Sequence, residues 1–390
     1  MAALALSVGL SRWVIDGMLP VSLVLTCLRL YGSPAVAGVT VFLATFPGLL
    51  LTPFAGALLD RRGRIAFIRL DIIVAIVVFT ALAGLVATAR LGVPLIFAAA
   101  VVLSCTRPLA QAGARAQVPS MAPERLWDRL NAVDTAIFTA VALTAPAAAA
   151  ALFGLVGASG LFGGGAALLA VSGVALTGVP ATGVAAFSAS LWAETRAGVA
   201  YFLRNRTLIA LAVSSSLLNV APGTLIVVLP IMVVNHLHRS TAVLGLVFVV
   251  EQVGAAAALL VVGRLGTRDR ERGVMSGAAL LTVAGMLLVL VAGSVPLIGA
   301  GVLLVGIGNG PYWVAVYGLR QRRTAAHMFA RAFALSYACN MAGMPLGSAL
   351  AGALSGGGAV TTALAVASVC PLLAIVALRV IPTALPALSA

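Results

Sequence analysis

An all-α membrane protein, with twelve transmembrane helices in two pseudo-symmetric six-helix bundles, is the fold class this sequence predicts. Three observations predict it. The first is composition: 62 % of the 390 residues are hydrophobic and 9 % are charged, against about 45–50 % and 25 % in soluble domains. Mean hydropathy is +1.15. No compact water-soluble globule has interior enough for that much apolar surface. At about 20 apolar residues per bilayer crossing, about 240 of them fill roughly twelve spans. The second observation is that all 24 basic residues are arginine and gather in alternate connections. The third is an internal repeat.

The apolar runs follow in order. Span 1 (3–25) continues past Arg12 and Asp16, and no basic leader or cleavage site precedes it, so it reads as a span and not a cleaved signal. Span 2 (36–58) follows the Ser33-Pro34 turn, span 3 (67–89) ends at Arg90, and span 4 (94–114) contains Arg107. Spans 5 and 6 (132–154 and 161–181) are rich in alanine and glycine. The longest connection, 182–206, alternates polar and apolar residues at helical spacing through Trp192, Glu194, Arg196, Gly198 and Phe202. That pattern suits a helix lying at the membrane surface. Spans 7 to 12 follow at 207–234, 242–263, 274–293, 297–319, 331–354 and 360–380. The expected organisation is an N-terminal bundle over 1–181, a cytoplasmic linker over 182–206 and a C-terminal bundle over 207–390.

Nineteen of the 24 arginines fall in one set of connections, and only Arg29, Arg90 and Arg239 in the alternate set. Positive charge stays inside, so the richer set is cytoplasmic and both termini face the cytoplasm. A multi-pass protein of the plasma membrane is expected, with the lipid bilayer as its first partner. The net charge of +14 is then topogenic, and no nucleic-acid partner is expected. The repeat appears at an offset of 207. Ser33-Pro34-Ala35-Val36-Ala37-Gly38 falls on Ser240-Thr241-Ala242-Val243-Leu244-Gly245, and Gly56, Leu58 and Arg61 meet Gly263, Leu265 and Arg268. Duplicated halves place a substrate site at their interface near the bilayer midplane.

Cys27, Cys105, Cys339 and Cys370 lie in apolar stretches without a CxxC spacing, which supports neither a disulfide framework nor a zinc site. His236 and His238 lack a third ligand. No metal and no cofactor are expected.

Span 2 runs into Gly56-Ala57-Leu58-Leu59-Asp60-Arg61-Arg62-Gly63-Arg64. This resembles motif A of the major facilitator superfamily, G-x-x-x-D-R-x-G-R, at its expected place between spans 2 and 3. Ile65 stands where the pattern has a final basic residue. The physics agrees: Gly56 admits a close helix, Asp60 can face a positive helix N-terminus, and Arg61 and Arg64 hold the loop inside. The resemblance implies a conformational latch made of Gly56, Asp60, Arg61, Gly63 and Arg64 on span 2, set against span 11, which Arg331 opens. The plainer reading is a cytoplasmic turn with topogenic arginines. Asp16-Gly17 with Leu19-Pro20 resembles the acidic motif of the exporter branch, and Arg107 stands where that superfamily has its motif B arginine. The exporter run GPxxGG is reduced to Ala145-Pro146-Ala147-Ala148 in span 5, and a fuller copy, Gly343-Met344-Pro345-Leu346-Gly347, lies in span 11.

Charge at the bilayer centre costs about 2.5–3.5 kcal/mol on insertion scales. Asp16 lies roughly 20 Å along span 1 at 1.5 Å per residue. Two readings of it stand: a proton carrier with Arg107 as switchable partner, or a carboxylate held permanently by Arg12 or Arg107 as structural glue. Glu251, beside Gln252 in span 8, suits either cation binding or a helix-packing hydrogen bond. Asp134 is a further coupling candidate whose position also suits the interface. Asp71 reads as a local ion-pair partner near the motif A loop. Arg12 and Gln252 are candidates for the substrate cavity.

The expected function is secondary active transport by alternating access: proton-coupled export of a small apolar or amphiphilic compound such as a drug, antibiotic or metabolite. The alternatives are a proton-coupled uptake symporter on the same fold, or a receptor or scaffold that does not transport. The expected partners are a small-molecule substrate and protons, and the expected working unit is a monomer. An enzyme would need catalytic groups clustered at one depth, and a channel would need a repeated filter or rings of charge. Neither pattern is visible.

Overall fold

The structure, a computed structural model, describes residues 2–52, 64–121, 127–179, 191–267, 269–324, 329–355 and 359–381. Among them there is no strand. In lipid every backbone N–H and C=O must be satisfied within the protein, and only helices or closed barrels manage this. We number the helices α1 (Ala3–Tyr31), α2 (Pro34–Thr52), α3 (Arg64–Ala87), α4 (Val93–Met121), α5 (127–156) and α6 (158–177). The second series is α7 (Leu191–Arg204), α8 (Arg206–His236), α9 (Thr241–Leu265), α10 (Glu271–Leu290) and α11 (Val295–Arg322), then α12 (Phe329–Met341), α13 (Gly343–Leu354) and α14 (Val360–Leu378).

Nine stretches of the described residues are long and apolar enough to cross a membrane. One of these, Ala140–Thr177, holds two spans, because Gly157 breaks it with φ +67° and ψ −177°. Only glycine takes such a conformation without strain, so a single residue turns the chain from α5 to α6. Adding α4, whose apolar part is Val93–Pro108, and the pair α12–α13 makes twelve. α7 falls within the stretch 182–206. Its Phe202 is buried with Leu208 and Ala212 of α8 and packs against Leu335 and Cys339 of α12.

Capping repeats with the sequence. Ser33 caps α2 by accepting from the Val36 N–H at 3.3 Å, and Ser240 caps α9 by accepting from the Val243 N–H at 3.4 Å. Both residues of each pair are 207 apart. A serine oxygen satisfies a first-turn donor that would otherwise have no partner in lipid. The equivalent helices α1 and α8 are also the most enclosed: 67 % and 78 % of their most apolar stretches are buried, against 28 % for α2 and α9. Each contains one π-helical turn, Trp13–Met18 in α1 and Ile231–His236 in α8.

The chain divides into two compact units. One is Met1–Ser188 with Leu229–Val249, and the other is Ala189–Val228 with Val250–Ala390. In the first unit Leu4, Ile65, Ile68, Ile72 and Leu176 form an apolar cluster of α1, α3 and α6. Above it Ser172 donates to the Ser7 carbonyl at 2.8 Å. In the second unit Leu211, Met275, Tyr312 and Leu378 join α8, α10, α11 and α14. The GxxxG spacing Gly343–Gly347 of α13 lies on the backbone of α8 at Ser216 and Val220, so close that any side chain would collide. Small residues permit that approach where no hydrophobic force drives helices together. Outward positions are apolar, as at Leu155 (80 % exposed) and Leu260 (71 %), which is the face lipid requires.

Candidate functional site

Two carboxylates of the first unit converge on one guanidinium. Asp16 comes from the π-helical turn of α1, Asp71 from α3, and Arg107 from α4. Arg107 grips Asp16 as a fork: Nε–H donates to Oδ1 and Nη2 to Oδ2, both at 2.7 Å. Its remaining arm, Nη1, donates to Asp71 Oδ2 at 3.0 Å and to Ser11 Oγ at 2.9 Å. Thr106 donates to Asp71 Oδ1 at 2.7 Å, and Gln111 Nε2 lies 3.3 and 3.2 Å from the two oxygens of Asp16. Two-point pairing of a guanidinium with a carboxylate is the strongest ion pair side chains form, and it fixes orientation as well as distance.

The two carboxylates differ in access. Asp71 is 1 % exposed, Arg107 11 %, and Asp16 25 %. Asp71 therefore sits sealed behind the guanidinium, and Asp16 is the member that other molecules reach. The wide turn places it there, since π-helical turns displace a side chain from the regular α pattern and recur at functional sites. The same turn is braced from α5. Trp13 Nε1 donates to Thr144 Oγ1 at 3.0 Å, and Gly17 lies against Ala145.

Of the candidates read from sequence, the structure brings Asp16 and Arg107 into contact. Arg12 is buried at 3 % exposure on α1. Glu251 lies on α9 in the second unit, buried at 7 %, with Gln252 half-buried beside it. Among the described residues Glu251 has no hydrogen-bond or ion-pair partner. Gly306 of α11 packs on its backbone. Gly56, Asp60, Arg61 and Gly63 lie outside the described residues. Arg64 opens α3 and Arg331 lies in the first turn of α12, but their side chains, like that of Asp134, are outside what is described.

Two residues differ from their sequence reading. Asp71 is no loop-side ion pair: it is the sealed third member of the cluster. Its spacing hid this, because four residues into span 3 and two after Arg69 it looked interfacial. Arg320 is one of the nineteen arginines that the sequence assigns to the cytoplasmic connections, yet its side chain is 1 % exposed inside the second unit. It packs over the Tyr317 ring at 5.6 Å, near the Tyr312 hydroxyl that donates to Ser214 at 2.8 Å.

Twelve spans in two repeats, with a charge cluster enclosed in the first, define a polytopic membrane transporter. The chain belongs to the Major Facilitator Superfamily. The sequence model of that superfamily matches residues 209–389. The chain is 33 % identical over 339 residues to an uncharacterized MFS-type transporter, y4rN, of Sinorhizobium fredii (strain NBRC 101917 / NGR234), covering 86 % of this chain and 83 % of that one. Its fold is similar to that of the nucleoside transporter NupG, with a TM-score of 0.77 at 12 % identity over 97 % of this chain and 98 % of the other. A bacterial homologue of the iron transporter ferroportin, solved in its inward-facing state, superposes with a TM-score of 0.75 at 17 % identity over 97 % of both chains. The protein is thus a multi-pass membrane transporter and not an enzyme.

Proposed function

We propose that the protein is a proton-coupled exporter of small apolar or amphiphilic organic compounds, working by alternating access. The observation that carries this reading is the Asp16–Arg107–Asp71 cluster. Two carboxylates share one guanidinium, so the cluster holds one negative charge in excess when all three groups are ionised. One proton brings it to neutrality. In a medium of low dielectric that difference is large, and it gives the cluster a reason to load and release a proton as its access changes. Asp16 is the exchanging member, because Asp71 is sealed. Arg107 holds the empty site together and lets go of Asp16 when the proton arrives. Glu251 and Asp134 are secondary coupling candidates.

The motion is a tilting of the N-terminal bundle (1–181) against the C-terminal bundle (207–390), the linker (182–206) joining them. Motif A, through Gly56, Asp60, Arg61, Gly63 and Arg64 with Arg331, latches one end of that motion. The cargo is apolar because the transmembrane interior carries few charges to receive a sugar or a phosphate. Arg12 and Gln252 are its candidate polar contacts. In this reading the protein works as a monomer in the plasma membrane with both termini in the cytoplasm, an orientation that the arginine bias supports.

The test is transport in proteoliposomes with an imposed proton gradient. Asp16→Asn is expected to abolish uphill movement of the cargo while equilibrium exchange survives. Gradient-driven flux at the wild-type rate in that variant overturns the coupling role. The sign of the movement separates export from uptake: cargo carried in the same direction as the downhill protons, to accumulate on the alkaline side, makes the protein a symporter.

A further inference from the structure

A second charged site lies in the second unit, away from the carboxylate cluster and unused by the reading above. A cleft of about 490 Å³ opens where the start of α10, the end of α11 and the end of α14 meet. Five arginines line it: Arg270 and Arg272 from the start of α10, Arg322 and Arg323 from the end of α11, and Arg379 from the end of α14. Two acids, Asp269 and Glu271, share it. Glu271 is already committed, since it pairs with Arg322 and accepts the Asp269 N–H at 3.1 Å. The cleft thus sets five guanidinium groups against two carboxylates, an excess of three positive charges. Arg270, Arg272 and Arg379 make no hydrogen bond or ion pair with any described residue.

The floor is different in kind. Leu319, Ile375, Leu378 and Ile381 give the cleft an apolar base, and Val380, next to Arg379, is 57 % exposed. Topogenic arginines need only face water. These converge from three separate helix ends on one concave, partly apolar space, which topogenesis does not require. Guanidinium forks match the oxygens of a phosphate, and their excess charge here calls for an anion. These three arginine-rich helix ends also fall on the side where the arginine bias places the anionic inner leaflet.

We propose that this cleft binds a phosphate-bearing anionic group, held by Arg270, Arg272 and Arg379 over the apolar floor. A phospholipid headgroup and a free phosphate ion share that chemistry. The proposal does not depend on proton coupling or on the direction of transport, and its test reads binding alone.

The full-length protein is purified in a neutral detergent and titrated in three arms: phosphatidylglycerol, phosphatidylcholine and inorganic phosphate. Retention by native mass spectrometry and the unfolding midpoint are read in each. The expected result is that phosphatidylglycerol is retained and stabilises while phosphatidylcholine does not. In Arg272→Gln/Arg379→Gln its binding weakens on the order of twentyfold, about fivefold per arginine. Arg90→Gln/Arg239→Gln, which removes two exposed arginines from the opposite set of connections, is expected to leave binding unchanged. An equal response to inorganic phosphate, lost in the same double variant, supports the site and assigns it to the free ion. Arg379→Gln alone, at an exposed helix end, serves if the double variant fails to fold, and about fivefold weakening is then expected. Binding that is the same in wild type and cleft variants, or that falls equally in the Arg90/Arg239 control, overturns the proposal.

Discussion

The first unit gathers three charged side chains into one network, whereas the second holds Glu251 and Arg320 apart. In the first, Asp16 and Asp71 come from two helices to within hydrogen-bond distance of Arg107 on a third, with Ser11, Thr106 and Gln111 filling the remaining valences. In the second, Glu251 stands alone on α9, and Arg320 lies on α11 among tyrosines. An ion loses several kcal/mol of hydration on burial, and only an opposite charge in good geometry offsets it. The contrast shows where the fold invests in holding charge. A network satisfied on all sides is rigid and specific, whereas a solitary carboxylate is tolerated only where its ionisation is not needed for the fold.

Variants break or sharpen that contrast, and the largest effect is expected at its centre. Arg107→Ala leaves two carboxylates facing each other with no counter-charge. It should lower unfolding stability by about 3–5 kcal/mol, read as a fall in the thermal or denaturant midpoint of the detergent-solubilised protein. A wild-type midpoint would show that the cluster contributes nothing to the fold. Asp71→Asn should cost less, about 1–3 kcal/mol, because its amide oxygen still accepts from Thr106 or Arg107 while one ionic contact is lost. Gly347→Val tests the apolar side of the second unit. The new side chain meets the α8 backbone, and overpacking of this kind costs about 1–3 kcal/mol. Glu251→Gln should change stability least, by less than about 1 kcal/mol. A loss there as large as that of Arg107→Ala would place Glu251 in a network of its own and erase the contrast.

The fold was legible because the bilayer permits so few solutions. Twelve apolar runs, arginine in alternate connections and a 207-residue echo each report on backbone satisfaction or topology, and those constraints act locally along the chain. Ser33 and Ser240 show how local the information is, since the same cap recurs with the same three-residue reach. The site was legible in part. Asp16 and Arg107 stood out as charges deep in apolar runs, but the choice between Arg12 and Arg107 as the partner of Asp16 depends on which helices adjoin. Asp71 and Arg320 were misplaced for one shared reason. Both lie near a span end, where distance along the chain says interface and only packing says otherwise. The turn at Gly157 falls in the gap between 154 and 161 that the sequence leaves between spans 5 and 6, although no polar stretch marks it.

The wide turn of α1 has a mechanical consequence. A π turn stores one residue more than the α turn it interrupts. If that surplus were absorbed, the part of the helix before it would rotate by about 100° and slide by about 1.5 Å against Leu19–Tyr31. Asp16 lies within that turn, so its carboxylate would be wound out of the arginine fork like a thread advanced by one notch. The helix thus carries a click of fixed size, available without melting any other turn.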